Sequence, residues 1–155
     1  MNQFNPWKLT MQKIFQVLKQ ILKHLILLII GGTVYVGIEY LWRGYSHWTM
    51  FVLGGLCFIC CGLLNEIIPW EMVLSKQMFC GAAIITILEF ITGCIVNLHF
   101  GWGVWDYSNL PLNVCGQVCL FFSIAWYYIS GMAIILDDYL RYWLFNEEKP
   151  HYKLF

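Results

Sequence analysis

The stretch "LEFITGCIV", Leu88 to Val96, is apolar almost throughout, yet it holds Glu89. No other acidic or basic residue occurs from Gln77 to Leu98. A carboxylate placed in hydrocarbon costs at least about 2.5–3.5 kcal/mol, so it must face protein, water, a partner chain or a solute. Two readings fit: a structural ion pair or hydrogen-bond hub, and a substrate or proton site. Glu89 lies nine residues before Leu98, about 13 Å along a helix axis. Glu39 and Arg43 stand four apart, the spacing and order that favour a helical ion pair. Arg43 is also the natural counter-ion for Glu89 if their helices touch. Glu39, Arg43 and Glu89 are therefore read as a candidate intramembrane polar network; the competing reading of Glu39 and Arg43 is a local ion pair that eases an interfacial helix end.

A second group of polar side chains falls in "NLHFGWGVWDYSNLPLNVCGQ". Asn97, His99, Trp105, Asp106, Tyr107, Asn113 and Gln117 are its candidate site residues. Glycines and Pro111 argue against a long helix here and for a folded lid. The competing reading is an aromatic anchor in which Asp106 satisfies backbone donors, as Asp does in turns. His47, His99, Glu39 and Asp106 would have to meet for acid–base work on a lipid headgroup, and nothing in their spacing specifies a reaction. No HExxH, GxSxG or phosphate-binding GxxxxGK[ST] motif is present, so no catalytic residue is assigned and no enzyme is expected. The seven cysteines include "CFICC", Cys57 to Cys61, without the second ligand pair a zinc site requires. They read as small packing residues, with no metal and no cofactor expected. Glu66, Glu71, Asp137, Asp138 and Arg141 flank span ends and read as a solvated face.

The elements that position these residues follow from composition. Of 155 residues 60% are hydrophobic and 12% charged, about half the charge of a soluble domain. Four runs reach membrane-spanning length: about 24–42, 48–67, 77–98 and 116–136, with an outer loop at 99–115. Lys8, Lys13, Lys19, Lys23, Lys76, Arg141, Lys149 and Lys153 fall on one side of this topology and Arg43 on the other. The positive-inside rule then puts both termini in the cytoplasm. Trp7, Met11, Ile14, Phe15, Leu18, Ile21, Leu22 and Leu25 recur at helical spacing, so residues 7–23 read as an amphipathic helix on the inner leaflet; the competing reading is a cytoplasmic extension of the first span that packs against other helices. Aromatics gather at the expected interfaces: Tyr40, Trp42, Tyr45, Trp48, Trp102 and Trp105 outside, Trp7, Trp70, Tyr139 and Trp143 inside. Trp126, Tyr127 and Tyr128 fall mid-span and are expected to pack inside the bundle. The fold class is all-α: a single membrane domain, residues 1–155, forming a four-transmembrane-helix bundle with an N-terminal amphipathic helix. The only basic cluster belongs to that helix, so no nucleic acid is expected as a partner.

"RGYSHWTMFVLGGLCFICCGLLNE", "LEFITGCIVN", "WDYSNLPLNVCGQVC" and "LDDYLRYWLF" together resemble the bacterial ABC-transporter permease type IV family, a group of small multi-span membrane proteins widespread in Firmicutes. The resemblance covers roughly Glu39 to Phe145. It implies a permease-like or transporter-associated protein of the bacterial inner membrane, and carries no catalytic or binding residue with it. The positions that match are Glu89, Thr92, Gly93, Trp105, Asp106, Tyr107, Asn113 and Gln117. With no ATPase motif in this chain, the resemblance also implies a separate ATPase subunit. Four helices leave little room for an aqueous pathway in one copy, which implies a homo-oligomer or a partner within the lipid bilayer. A non-transporting scaffold is the alternative reading, and a lipid-modifying enzyme a third.

Overall fold

The computed structural model describes residues 6–67 and 72–154; of Pro6, Lys8 and Leu9 it describes the backbone alone. Trp70 and Glu71 lie outside the described residues. Four helical stretches are long and apolar enough to cross a membrane: Thr10–Arg43, Trp48–Ile67, Leu74–His99 and Leu120–Phe145.

Helix α1 runs without a break from Pro6 to Arg43. The amphipathic segment and the first span are thus one rod. The reason is local: no Gly or Pro lies between Trp7 and Ile30, and sharp kinks need such residues or a π-bulge. The rod ends at Gly44, whose φ of +78° suits a residue without Cβ. His47 does not continue α1. It caps α2 (Trp48–Gly62), its ring nitrogen accepting from the Thr49 amide. A short α3 (Leu64–Ile67) completes the second span.

Helix α4 covers Leu74–Gly93 and passes directly into a π-helical turn, Cys94–His99. Two-residue strands β1 (Asn113–Val114) and β2 (Val118–Cys119) pair antiparallel, with Asn113 opposite Cys119. Helix α5 runs Leu120–Phe145. The fourth span therefore begins later and ends later than the expected 116–136. Gly116 and Gln117 belong to the hairpin, because Gly116 at φ +68° makes a turn that a helix cannot contain.

Small residues set the helix spacing, since lipid removes the hydrophobic drive between helices. Gly54 lies against the Tyr35 ring and Gly31 against the Phe58 ring, with no space for a Cβ at either. These contacts join α1 to α2. Gly81 and Ser130 do the same for α4 and α5. The buried core comprises Leu53, Cys57, Cys61, Ile85, Trp126 and Ile134 among others. All seven cysteines are free. Trp126 is buried as expected, but Tyr128 is 64% exposed: one residue turns a helix by about 100°, so neighbours cannot share the inner face.

At one end of the bundle α1 meets the segment that follows α5, where Lys23 Nζ lies 2.6 Å from Glu147 Oε1. The tail after Asn146 folds back, and the Leu74 amide donates to the Lys153 carbonyl at 2.9 Å.

Candidate functional site

At the opposite end of the bundle, the π-turn rotates Asn97 toward the loop. Its Oδ1 accepts from the Val104 amide at 2.7 Å, and its Nδ2 donates to Gln117 Oε1 at 2.8 Å. Gln117 Nε2 donates to the Cys115 carbonyl at 3.0 Å. The Trp105 indole donates to the Gln117 carbonyl at 2.9 Å and is buried. Asn113 closes the hairpin, donating to the Leu110 carbonyl at 2.7 Å and accepting from the Gly116 amide at 3.0 Å. A backbone without regular structure has unpaired polar groups, and these side chains satisfy them. Asn97, Trp105, Asn113 and Gln117 are therefore the staples that hold the loop closed over the bundle.

Asp106 sits on the outside of this loop. Its Oδ1 accepts from the Ser108 hydroxyl at 2.5 Å and from the Ser108 amide at 2.8 Å. These bonds hold its carboxyl below the ordinary carboxylate range. This is the turn geometry expected of Asp. His99 is exposed and packs edge-on against Phe100, with ring centroids 4.9 Å apart. Tyr107 reaches down into the bundle, where its hydroxyl donates to Glu89 Oε1 at 3.0 Å.

Glu89 is 2% exposed. Its second oxygen accepts from the Trp126 indole of α5 at 2.8 Å. Arg43 does not hold it. Arg43 donates to Glu39 Oε2 at 2.8 Å and to the Val104 carbonyl at 2.8 Å, and its guanidinium stacks 4.6 Å from the Tyr45 ring centroid. Ser46 also donates to Glu39 Oε2, at 2.7 Å. The expected three-residue network is thus two arrangements: Glu39–Arg43–Ser46 at the helix end, and Glu89–Tyr107–Trp126 deeper in. The physical reason is reach. Arg43 lies at the last turn of α1, and the loop carbonyl it finds there is nearer the surface than a carboxylate mid-helix. Trp126 and Ser46 were missed in the sequence. An indole placed away from both interfacial belts was the legible signal for Trp126; Ser46 carried none.

Below Glu89 lies a cavity of about 300 Å³ between α1, α2, α4 and α5. Tyr35, Leu53, Cys57, Ile85, Ile129 and Met132 line it together with Glu89 and Trp126. Its walls are apolar and its polar end is the carboxylate with two aromatic rings beside it. Tyr35 and Trp126 have centroids 6.1 Å apart. Rim residues Val34 and Ile38 of α1 and Met132 of α5 are exposed, so the opening faces outward between these two helices. Among the described residues, no group of three or more His, Cys, Asp or Glu could hold a metal ion.

The opposite end corrects one expectation. Asp137, Asp138 and Arg141 are not a solvated face; they are 0%, 5% and 3% exposed. Arg141 Nε pairs with Asp137, and Arg141 Nη1 with Glu66 Oε1 at 3.1 Å. Asp138 Oδ2 accepts from Asn65 at 2.5 Å and from Tyr152 at 2.7 Å. The returning tail brings Tyr152 over this cluster, which helix-end position alone does not reveal.

A bundle of four apolar helices, closed at one end by a stapled loop and holding one buried carboxylate over an apolar cavity, defines a polytopic α-helical membrane protein. A family model described as "Putative ABC-transporter type IV" matches residues 10–146, and the chain belongs to that family. No curated protein and no solved structure matches the chain.

Proposed function

We propose that this chain is a permease-like subunit of a bacterial inner-membrane transporter. In this reading the cavity below Glu89 admits an amphiphilic solute carrying a cationic or hydrogen-bond-donating group. The observation that carries the proposal is a 2%-exposed carboxylate at the head of an apolar cavity that opens sideways between two helices. The cavity lies at the small end of the usual range for ligand pockets, about 300–1,000 Å³. A carboxylate can pair with an ammonium, and the faces of Tyr35 and Trp126 add cation–π attraction. The one-sided distribution of lysine and arginine supports cytoplasmic termini. Because the chain contains no P-loop motif, a separate ATPase subunit supplies the energy in this scheme.

A scaffold reading has its own support, because Tyr107 and Trp126 already satisfy both Glu89 oxygens. Glu89→Gln separates the two. Binding of a fluorescent lipophilic ammonium to the purified protein in nanodiscs is measured beside thermal stability. Loss of one charge-assisted contact predicts roughly 10–100-fold weaker binding. No detectable binding by the wild type, or equal binding by the variant, rejects the solute role. A lowered melting temperature alone is the scaffold outcome.

A further inference from the structure

Helix α1 is 38 residues long, about 57 Å at 1.5 Å per residue. The hydrocarbon core is about 30 Å thick, and a tilt of about 40° does not absorb the difference. The continuous helix therefore carries about a third to a half of its length, at the N-terminal end, out of the bilayer, on the side where Lys23 meets Glu147. Met11, Ile14, Leu18, Ile21 and Leu25 are all at least half exposed there, at 66%, 50%, 57%, 58% and 50%.

Their spacing is three, four, three, four. This is the 3.5-residue repeat of a coiled-coil seam, with Met11, Leu18 and Leu25 at a and Ile14 and Ile21 at d; Leu28, next in the repeat, packs against Gly55 of α2 and ends the free stripe. Gln12, Lys13, Gln16, Lys19, Gln20 and Lys23 occupy b, c and f, away from the seam. Lys23 binds Glu147 from its f position, which leaves the seam uncovered. We propose that this end of α1 joins further copies of the same chain in a parallel coiled coil of three or four helices, a stalk that gathers the membrane bundles into one assembly.

Three observations favour copies of this chain as the occupant. Copies inserted in one membrane with one orientation present their stalks parallel and in register, as an a/d seam requires. Leu at a with Ile at d favours three or four strands over two. Phe15 and Leu22 at e and Val17 at g widen the apolar stripe beyond a two-stranded seam. A flat lipid surface fits less well, since reaching it requires a hinge and residues 7–30 hold no Gly or Pro.

The test is cysteine cross-linking in native membranes, in a Cys115→Ser background because Cys115 is exposed. With a short bismaleimide, Leu18→Cys and Ile21→Cys are expected to give bands reaching three or four copies. Gln16→Cys, on the outer face, is expected to give none. In detergent, light scattering of the Ile14→Glu/Leu18→Glu double variant is expected to fall from three or four copies to one. Its bundle melting temperature should hold, because neither side chain belongs to the buried core. Failure of the seam cysteines to cross-link overturns the proposal and points to lipid or a different protein on the stripe. Equal cross-linking from Gln16→Cys, or an oligomer that survives the double variant, overturns it too.

Discussion

Glu89 lies between two donors on different elements, Tyr107 from the loop and Trp126 from α5. Such a carboxylate couples the loop to the bundle through one side chain. Trp126→Phe removes one donor while keeping most of the ring. An unpaired buried acceptor costs about 1–3 kcal/mol, and chemical unfolding in detergent is expected to show a loss of that size. The Asp137–Arg141 pair obeys a different rule. Removing one buried partner costs about 3–5 kcal/mol, whereas replacing both with packed apolar groups is often neutral. Arg141→Met is therefore expected to destabilise strongly, and Arg141→Met/Asp137→Leu to recover most of the loss. If the double variant is as unstable as the single, Asp138, Glu66 and Glu147 also depend on Arg141.

At the scale of elements, glycines decide how closely α1 approaches α2. Gly54 faces the Tyr35 ring, and Tyr35 also lines the cavity. Gly54→Ala is expected to cost about 1–3 kcal/mol through overpacking and to shift Tyr35. Gly37, by contrast, has open space around it. Gly37→Ala is expected to be neutral or to stabilise α1 by up to about 1 kcal/mol, from helix propensity alone. Melting temperatures of the two variants, measured side by side, test whether close approach or propensity governs each site. Helix existence was readable in all four spans because long apolar runs leave few alternatives. Their ends were less so. No charge separates residues 116–119 from the span, and the positive φ of Gly116 and the pairing of β2 with β1 remove them from α5.

At the scale of the whole molecule, loop and tail each carry a tyrosine whose hydroxyl donates to a carboxylate inside the bundle. Tyr107 and Tyr152 both have their ionisation pushed above the ordinary phenol range, first by burial and then by the carboxylates they bond. The raised direction means the folded state holds these protons more tightly than the unfolded chain. Their contribution is full below the unfolded phenol pKa of about 10 and is lost as pH rises beyond it. The melting temperature is expected to fall above about pH 10, less steeply in Tyr152→Phe. Apolar run length by itself determined the four helices and the presence of a costly carboxylate at Glu89. That signal is local, set by the expense of polar groups in hydrocarbon. Only the tertiary structure decided that Trp126 and Tyr107, and not Arg43, hold Glu89, and that Tyr152 closes over Asp138. These partners lie 14 to 37 residues apart. Which donor reaches which acceptor depends on helix rotation and loop path, and no spacing along the chain encodes either.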